Sequence, residues 1–337
     1  MSKPPVTRVA VLGAGSWGTA LALQLSRVGH SVSLWTHSPT QAKAMASSGR
    51  NEVYLPDIDL PETLHVTADL AACINGADHF LIATPSHAFA ETLERIKPQI
   101  TDQTGLAWAC KGFEPGTGQF LHQVAAAKLP ESVPLALVSG PSFAHEVALG
   151  LPTAVTVASN TPKFGARWAS LLHGESFRAY YTADLVGAEL GGALKNVIAV
   201  ACGLADGLGL GQNTRAALIT RGLAEMIRLG RAIEADPRTL IGLAGVGDLV
   251  LTCTGDSSRN RRFGLALGRG MGVDEALKSI GQTVEGVNTA KEAMRLARRH
   301  GVDMPITEQV WGIIFEGWSP AKGVRVLMER DPKAESD

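Results

Sequence analysis

Residues 13–18 read Gly13-Ala14-Gly15-Ser16-Trp17-Gly18, directly after the β-branched run Arg8-Val9-Ala10-Val11-Leu12. Three glycines at this spacing, between a strand and a helix predicted over 17–28, leave little choice of local architecture. The first glycine permits a tight turn, the second lets a pyrophosphate approach the backbone, and the third lets the helix pack closely on the sheet. A phosphate then meets free N–H groups and the positive end of the helix dipole. The chain therefore opens as a βαβ unit suited to a dinucleotide. Trp17, inside the turn, is either core packing or a cover over that ligand.

The alternation continues with short apolar runs over 31–35, 79–83, 105–109 and 135–139, and runs over 153–157 and 176–181 can extend the sheet. This rhythm predicts an α/β fold, a Rossmann-like, doubly wound and mostly parallel sheet covered by helices on both faces. We assign residues 1–187 to this dinucleotide-binding domain. After about Asp184 the β-branched runs stop and apolar residues recur at helical spacing, predicting helices over 185–205, 213–235, 259–269, 274–280, 289–300 and 306–316. Residues 188–337 are thus a C-terminal all-α domain for the substrate, and two domains suit a chain of 337 residues. The polar end, about 328–337, is expected to fray.

Lys and Arg number 31 against 32 Asp and Glu, which excludes a global basic field for nucleic acid, so any anion binding must be local. Residues 1–7 lack an apolar signal core, and no uninterrupted apolar stretch is long enough to span a bilayer; a soluble, cytoplasmic protein is expected. Cys73, Cys110, Cys202 and Cys253 are widely separated and show no metal-ligand spacing, which predicts buried, reduced thiols and no metal.

The second strand ends in Trp35-Thr36-His37-Ser38, where NAD-selective sites carry an Asp or Glu for the ribose hydroxyls. Without that carboxylate nothing repels a 2′-phosphate, so NADP is at least tolerated. Ligands on open α/β sheets gather beyond the carboxyl ends of strands. The loops Ala83-Thr84-Pro85-Ser86-His87 and Ala109-Cys110-Lys111-Gly112-Phe113 therefore flank the nicotinamide, with Lys111 a site candidate and His87 a helix-start residue. Ser139-Gly140-Pro141-Ser142 closes another strand and offers backbone and hydroxyl donors.

Lys195 stands in "GGALKNVIAVACG", with Gly191, Gly192, Ile198 and Ala199 three and four positions away. Such an ammonium either snorkels to water or faces a cavity with chemistry in it. Gly245-Val246-Gly247-Asp248-Leu249 places one carboxylate between apolar runs. In Asp256-Ser257-Ser258-Arg259-Asn260-Arg261-Arg262, a serine, an arginine and an asparagine at a helix start suit a phosphate. The competing reading is a capped, solvated basic helix, which Arg261 and Arg262 fit.

Gly192-Ala193-Leu194-Lys195-Asn196 continuing through Ala199, Ala201, Gly203, Asp206-Gly207-Leu208 and Gly211-Gln212-Asn213 resembles the signature of NAD(P)-dependent glycerol-3-phosphate dehydrogenases, in their bacterial branch. It is joined in order by 13–18, Lys111-Gly112, Gly140-Pro141-Ser142, Gly247-Asp248-Leu249, Ser258-Arg259-Asn260 and Gln282-Thr283-Val284-Glu285-Gly286, so the resemblance covers nearly the whole chain. It implies interconversion of dihydroxyacetone phosphate and sn-glycerol 3-phosphate with NAD(P)H, supplying the backbone for phospholipid synthesis. By matching position, Lys195 takes the catalytic proton-transfer role and Lys111 serves both cofactor and substrate. Gly140, Ser142, Lys195, Asp248, Ser258, Arg259 and Asn260 would hold substrate. Gly13, Gly15, Ser16, Trp17, Gly18, His37, Ala144, Arg259, Thr283 and Glu285 would contact the dinucleotide. Two positions depart from the family: Ser38, near which many relatives carry an arginine, and Thr283, where they often carry an aliphatic residue.

The implied chemistry is hydride transfer to C2 of the ketone with Lys195 as general acid. Lys111, Arg259 and burial would lower the pKa of Lys195, and Asp248 would oppose them. The slim neighbours of Lys195 would make room for substrate and nicotinamide. A 3-hydroxyacid or 6-phosphogluconate type dehydrogenase, recognising a carboxylate substrate, is the alternative enzyme; a dinucleotide sensor without turnover is the alternative outside enzymes. Apolar faces of the helical domain are compatible with a homodimer.

Overall fold

The strands follow one another in a computed structural model that describes residues 6–330. They are β1 (Arg8–Leu12), β2 (Ser31–Trp35), β3 (Arg50–Asn51), β4 (Leu55–Asp59), β5 (Leu64–Thr67), β6 (His79–Ile82), β7 (Leu106–Trp108), β8 (Leu135–Ser139), β9 (Thr153–Ser159) and β10 (Phe177–Thr182). Eight of them make one sheet in the order β10-β9-β8-β7-β6-β1-β2-β5, while β3 and β4 form a separate antiparallel hairpin. Within the large sheet all neighbours run parallel except β8 and β9. The central strands are buried on both faces, which is why they read as unbroken apolar runs. In β1, Val9 and Val11 enter the core on one side with Leu21, Leu25 and Trp168, while Ala10 and Leu12 enter the other with Phe80, Phe89 and Trp108. β1 lies between β2 and β6, so the strand order reverses beside the glycine turn.

Sequence periodicity did not reveal β3, β4 and β5. They are two, five and four residues long, and β4 reads Leu-Pro-Asp-Ile-Asp, too short and polar for an alternation signal.

From Leu185 onward the described chain is helical. The helix Leu185–Gly207 opens with Asp184, whose Oδ1 accepts the Gly187 N–H at 2.8 Å. It is apolar and long enough to cross a bilayer, yet 94% of its most apolar window is buried inside the protein. It is the axis of the second half, wrapped by Gly211–Ala232, Asp248–Thr254, Arg259–Gly268, Glu285–His300 and Pro305–Phe315. The helix expected over 289–300 starts earlier, at Glu285, where an acidic first turn suits the dipole. The helix Pro320–Met328 was not anticipated. Of the terminal stretch expected to fray, 331–337 lies outside the described residues, as does 1–5 of the N-terminal stretch.

Two glycines in the Lys195 helix, Gly191 and Gly203, serve a purpose other than the one the sequence suggested. A Cβ on Gly203 would stand 2.0 Å from the Arg261 carbonyl oxygen, and one on Gly191 would stand 2.3 Å from that of Ala244. The space freed by these residues is filled by neighbouring backbones, not held open for ligand. The four cysteines are buried and free.

Candidate active site

The glycine turn divides into residues the fold requires and one that it does not. Gly13 adopts φ +121°, and a Cβ there would lie 2.8 Å from the Ala83 carbonyl oxygen; a Cβ on Gly18 would lie 1.9 Å from that of Gly13. At Gly15 a Cβ would meet nothing within 4 Å. Gly15 is also the N-cap of the helix Ser16–Arg27, makes no side-chain cap, and is followed by a first turn without acidic residues. Open space beside uncapped N–H groups fits a pyrophosphate. Trp17 fits the packing reading, lying against the sheet core, and its ring is 5.9 Å from the Lys111 Nζ.

At the end of β2, Thr36 Oγ1 donates to Gln41 Oε1 at 2.6 Å and accepts the Ser38 N–H, while Ser38 Oγ caps the next helix by accepting the Gln41 N–H. Both hydroxyls are engaged locally, and His37 is left exposed at the strand end. Ser16 Oγ donates to the Tyr54 carbonyl at 3.4 Å. Ala144 opens a short helix after β8, and Thr283 and Glu285 stand at the start of Glu285–His300.

The second cluster lies beyond β7 and β8. Lys111 Nζ donates to Asp248 Oδ2 at 2.7 Å and to the Gly140 carbonyl at 3.0 Å; Ser142 Oγ donates to that same carbonyl at 2.9 Å. Lys195 Nζ donates to the other oxygen of Asp248 at 2.5 Å and to Thr252 Oγ1 at 3.0 Å, and Thr252 passes its own proton to the Asp248 carbonyl at 2.6 Å. One carboxylate, 1% exposed, thus sits between two ammonium groups from the two halves of the chain. Asp248 reaches this point because a π turn at Leu243–Gly247 hands over to the helix Asp248–Thr254, and Gly191 admits the turn against the Lys195 helix.

Burial pulls the Lys195 pKa from its ordinary 10.5 down to about 8; Asp248 pulls it up and Lys111 pushes it down. Burial alone would raise the Asp248 carboxyl, but Lys111 and Lys195 outweigh it and hold the group below its usual range. The sequence anticipated these opposing influences; among the leading ones Lys111 acts and Arg259 does not.

Ser258 caps the helix Arg259–Gly268, its Oγ accepting the Arg261 N–H at 3.2 Å. Arg259 is solvent-exposed at the helix start; desolvation by its neighbours lowers its pKa while Glu285 and Tyr54 raise it. Asn260 is buried with its amide engaged: Nδ2 donates to Asn196 Oδ1 at 2.9 Å and Oδ1 accepts the Gly286 N–H at 2.8 Å. One N–H of Asn260 remains for a ligand. Arg261, read from sequence as solvated, is 9% exposed and bridges Asp206 at 2.8 Å and Asp256 at 2.6 Å. Glu285 accepts the Ser86 N–H at 3.1 Å and its hydroxyl at 2.7 Å, bringing the loop after β6 to the start of the helix Glu285–His300. Thr252 was missed by the sequence reading, although its place four residues after Asp248 is the helical spacing that puts both on one face. Among the described residues no group of three His, Cys, Asp or Glu could hold a metal.

This arrangement can bind an anion beside a proton donor and next to a dinucleotide. Residues 8–165 match the family described as NAD-dependent glycerol-3-phosphate dehydrogenase N-terminus, and residues 184–325 match its C-terminus. A glycerol-3-phosphate dehydrogenase [NAD(P)+] of Stenotrophomonas maltophilia is 56% identical over 328 residues, 97% of this chain and 96% of that protein. One from Xanthomonas campestris is 54% identical over 98% of this chain and 97% of its own length. The crystal structure of the Coxiella burnetii glycerol-3-phosphate dehydrogenase superposes with a TM-score of 0.93 at 48% identity, covering 96% of this chain and 99% of that one. With both halves of the chain matched and the relatives aligned nearly end to end, this protein belongs to the NAD-dependent glycerol-3-phosphate dehydrogenase family.

Proposed function

We infer that the protein is an NAD(P)-dependent oxidoreductase that reduces dihydroxyacetone phosphate to sn-glycerol 3-phosphate, the precursor of glycerophospholipid backbones. The observation that carries this reading is the single buried Asp248 shared by Lys195 and Lys111 beside the glycine turn. A 3-hydroxyacid or 6-phosphogluconate type enzyme and a dinucleotide sensor give way to the family membership.

A bound reduced nicotinamide supplies the hydride; the residues of this chain supply everything else. Gly13, Gly15, Ser16, Trp17 and Gly18 hold the dinucleotide, with His37 at its ribose end and Ala144, Thr283 and Glu285 along its length. Lacking a carboxylate at 36–38, the site accepts NADPH as well as NADH. Arg259, Ser258 and Asn260 receive the phosphate as one guanidinium with neutral donors at a helix N-terminus. Gly140 and Ser142 line the opposite wall with Lys111. Lys195 holds the proton. Asp248 and Thr252 engage two of its three N–H bonds, and the third is directed to the ketone oxygen, which takes the proton as C2 is reduced. In the reverse direction neutral Lys195 removes the alcohol proton.

Free cysteines and a small phosphorylated substrate suit a cytoplasmic setting. Exposed Ile241, Phe315, Trp318 and Met328 on the helical half support a homodimer. We place the division between the cofactor and substrate domains at about residue 187, just inside the long helix.

The direct test mixes the protein with dihydroxyacetone phosphate and either NADH or NADPH and follows loss of the reduced nicotinamide. Both cofactors should be consumed, and a 3-ketoacid in place of the phosphate should give no turnover. Turnover with the ketoacid alone would overturn the assignment.

A further inference from the structure

The turn that receives the pyrophosphate contains a freedom that the fold must remove. Gly15 carries no side chain and faces open space, so its own φ restrains the Ala14–Gly15 peptide less than any other residue would. In a planar trans peptide the C=O and the N–H point in opposite directions. Whatever orients the Ala14 carbonyl therefore orients the Gly15 N–H.

Two side-chain amides from outside the turn converge on that carbonyl. Gln41 Nε2 donates to Ala14 O at 2.8 Å, and Asn51 Nδ2 donates to it at 3.0 Å. Asn51 is fully buried, and its Nδ2 also donates to Thr19 Oγ1, one turn into the phosphate-binding helix, at 2.8 Å. Gln41 donates to Asn51 Oδ1 at 3.3 Å, and its own Oε1 accepts the Thr36 hydroxyl at 2.6 Å. Every amide orientation is fixed by this network, because the carbonyl, the carboxamide oxygen and the hydroxyl leave one consistent assignment. The two donors come from the helix Pro39–Ser48 and from the hairpin strand β3, neither of which belongs to the glycine motif.

We propose that Gln41 and Asn51 are positioning residues for the dinucleotide: by filling the Ala14 carbonyl they lock the Ala14–Gly15 peptide with its N–H turned toward the pyrophosphate. This rests on the reading that the glycine turn is the pyrophosphate site. A peptide held in advance spares the ordering otherwise required when the ligand arrives. Thr36 ties the same lock to the end of β2, so the ribose and pyrophosphate ends of the site share one rigid frame.

The test is steady-state kinetics on Gln41→Glu and Asn51→Asp, which keep shape but replace the donating NH2 with an acceptor, alongside Gln41→Ala. KM for NADH should rise about fivefold or more for each, the scale of one lost hydrogen bond. KM for dihydroxyacetone phosphate and kcat at saturating NADH should stay within about twofold. Equal losses in both KM values, or a fall in kcat alone, would mean a general structural role and overturn the proposal. An unchanged NADH KM in Gln41→Ala and Gln41→Glu would also overturn it, whatever happens to the more buried Asn51 variant. Gly15→Val separates the underlying reading: filling the open space should abolish NADH binding. If Gly15→Val binds NADH normally, the pyrophosphate lies elsewhere and the premise fails, not the lock.

Discussion

Asp248 places one buried negative charge between two positive ones, and that arrangement, with burial, sets how Lys195 titrates. A buried carboxylate and a single ammonium would pair and keep the lysine fully charged. Here burial is the largest influence and brings the Lys195 pKa to about 8 against the pull of Asp248, and a second ammonium, Lys111, on the other carboxylate oxygen adds to the fall. Proton donation to the ketone needs charged Lys195, so kcat/KM for reduction should decline as pH rises through about 8. Oxidation of the alcohol needs the neutral amine and should increase through the same window. Asp248→Asn removes the leading influence that holds the proton on, so in that variant the reduction limb should move to lower pH. Lys195→Met should lose the limb together with about 10²–10⁴-fold in rate. A pH profile of the three proteins checks this; a limb that stays in place in Asp248→Asn would dissociate Asp248 from the lysine's titration.

The helices Leu185–Gly207 and Arg259–Gly268 set the distance between Lys195 and Arg259, the proposed proton donor and phosphate ligand. Their contact is nearly backbone to backbone, with Gly203 against the Arg261 carbonyl, Gly264 against that of Val200 at 2.1 Å, and Gly268 against that of Leu204 at 2.4 Å, measured to a built Cβ. The small residues are visible in the sequence, but nothing local shows which helix crosses them, and so Gly203 and its neighbours read as space for ligand. Arg261 was read as solvated for the same reason, since its partner Asp206 sits on the other helix and is recognised only after the two helices meet. Adding a methyl group at Gly203 must push the helices apart, because the obstacle is backbone and cannot rotate away. Gly203→Ala should therefore lower Tm by roughly 5 °C or more. KM for dihydroxyacetone phosphate should rise with it, as Arg259 shifts relative to Lys195. Thermal unfolding and kinetics on the same preparation check both parts.

Over the whole molecule, what could be read from the sequence was whatever a period or a glycine spacing marks locally: β1 and its helix, the buried parallel strands, the long helices. The cluster of charges was legible in part, since Lys195 and Asp248 stood out against apolar surroundings and Lys111 ended a strand, and the structure brings the three together. Hidden from the sequence were Thr252, Gln41, Asn51 and the short strands β3 to β5, whose roles exist only through contacts between distant segments. The joint between the two halves belongs to this hidden class. Along Glu285–His300, Glu285 holds Ser86, Asn288 Nδ2 donates to the Phe113 carbonyl at 3.4 Å, and fully buried Glu292 accepts the Gly116 N–H at 2.9 Å. Arg295 pairs with Glu292 at 3.0 Å and also donates to the Gly116 carbonyl. This helix therefore splints the segment after β7, which carries Lys111, to the half that carries Lys195. The shared carboxylate depends on that splint, because Lys111 and Lys195 approach Asp248 from opposite sides of the joint. Glu292→Ala should free the segment without touching the dinucleotide turn. Its expected effect is a loss of about tenfold in kcat/KM for dihydroxyacetone phosphate, the scale of a small misplacement of reacting groups. KM for NADH should stay within about twofold, measured well below the melting temperature. Equal damage to both parameters would show that Glu292 supports the fold at large; no damage would show that Lys111 is held in place by Asp248 and Gly140 alone.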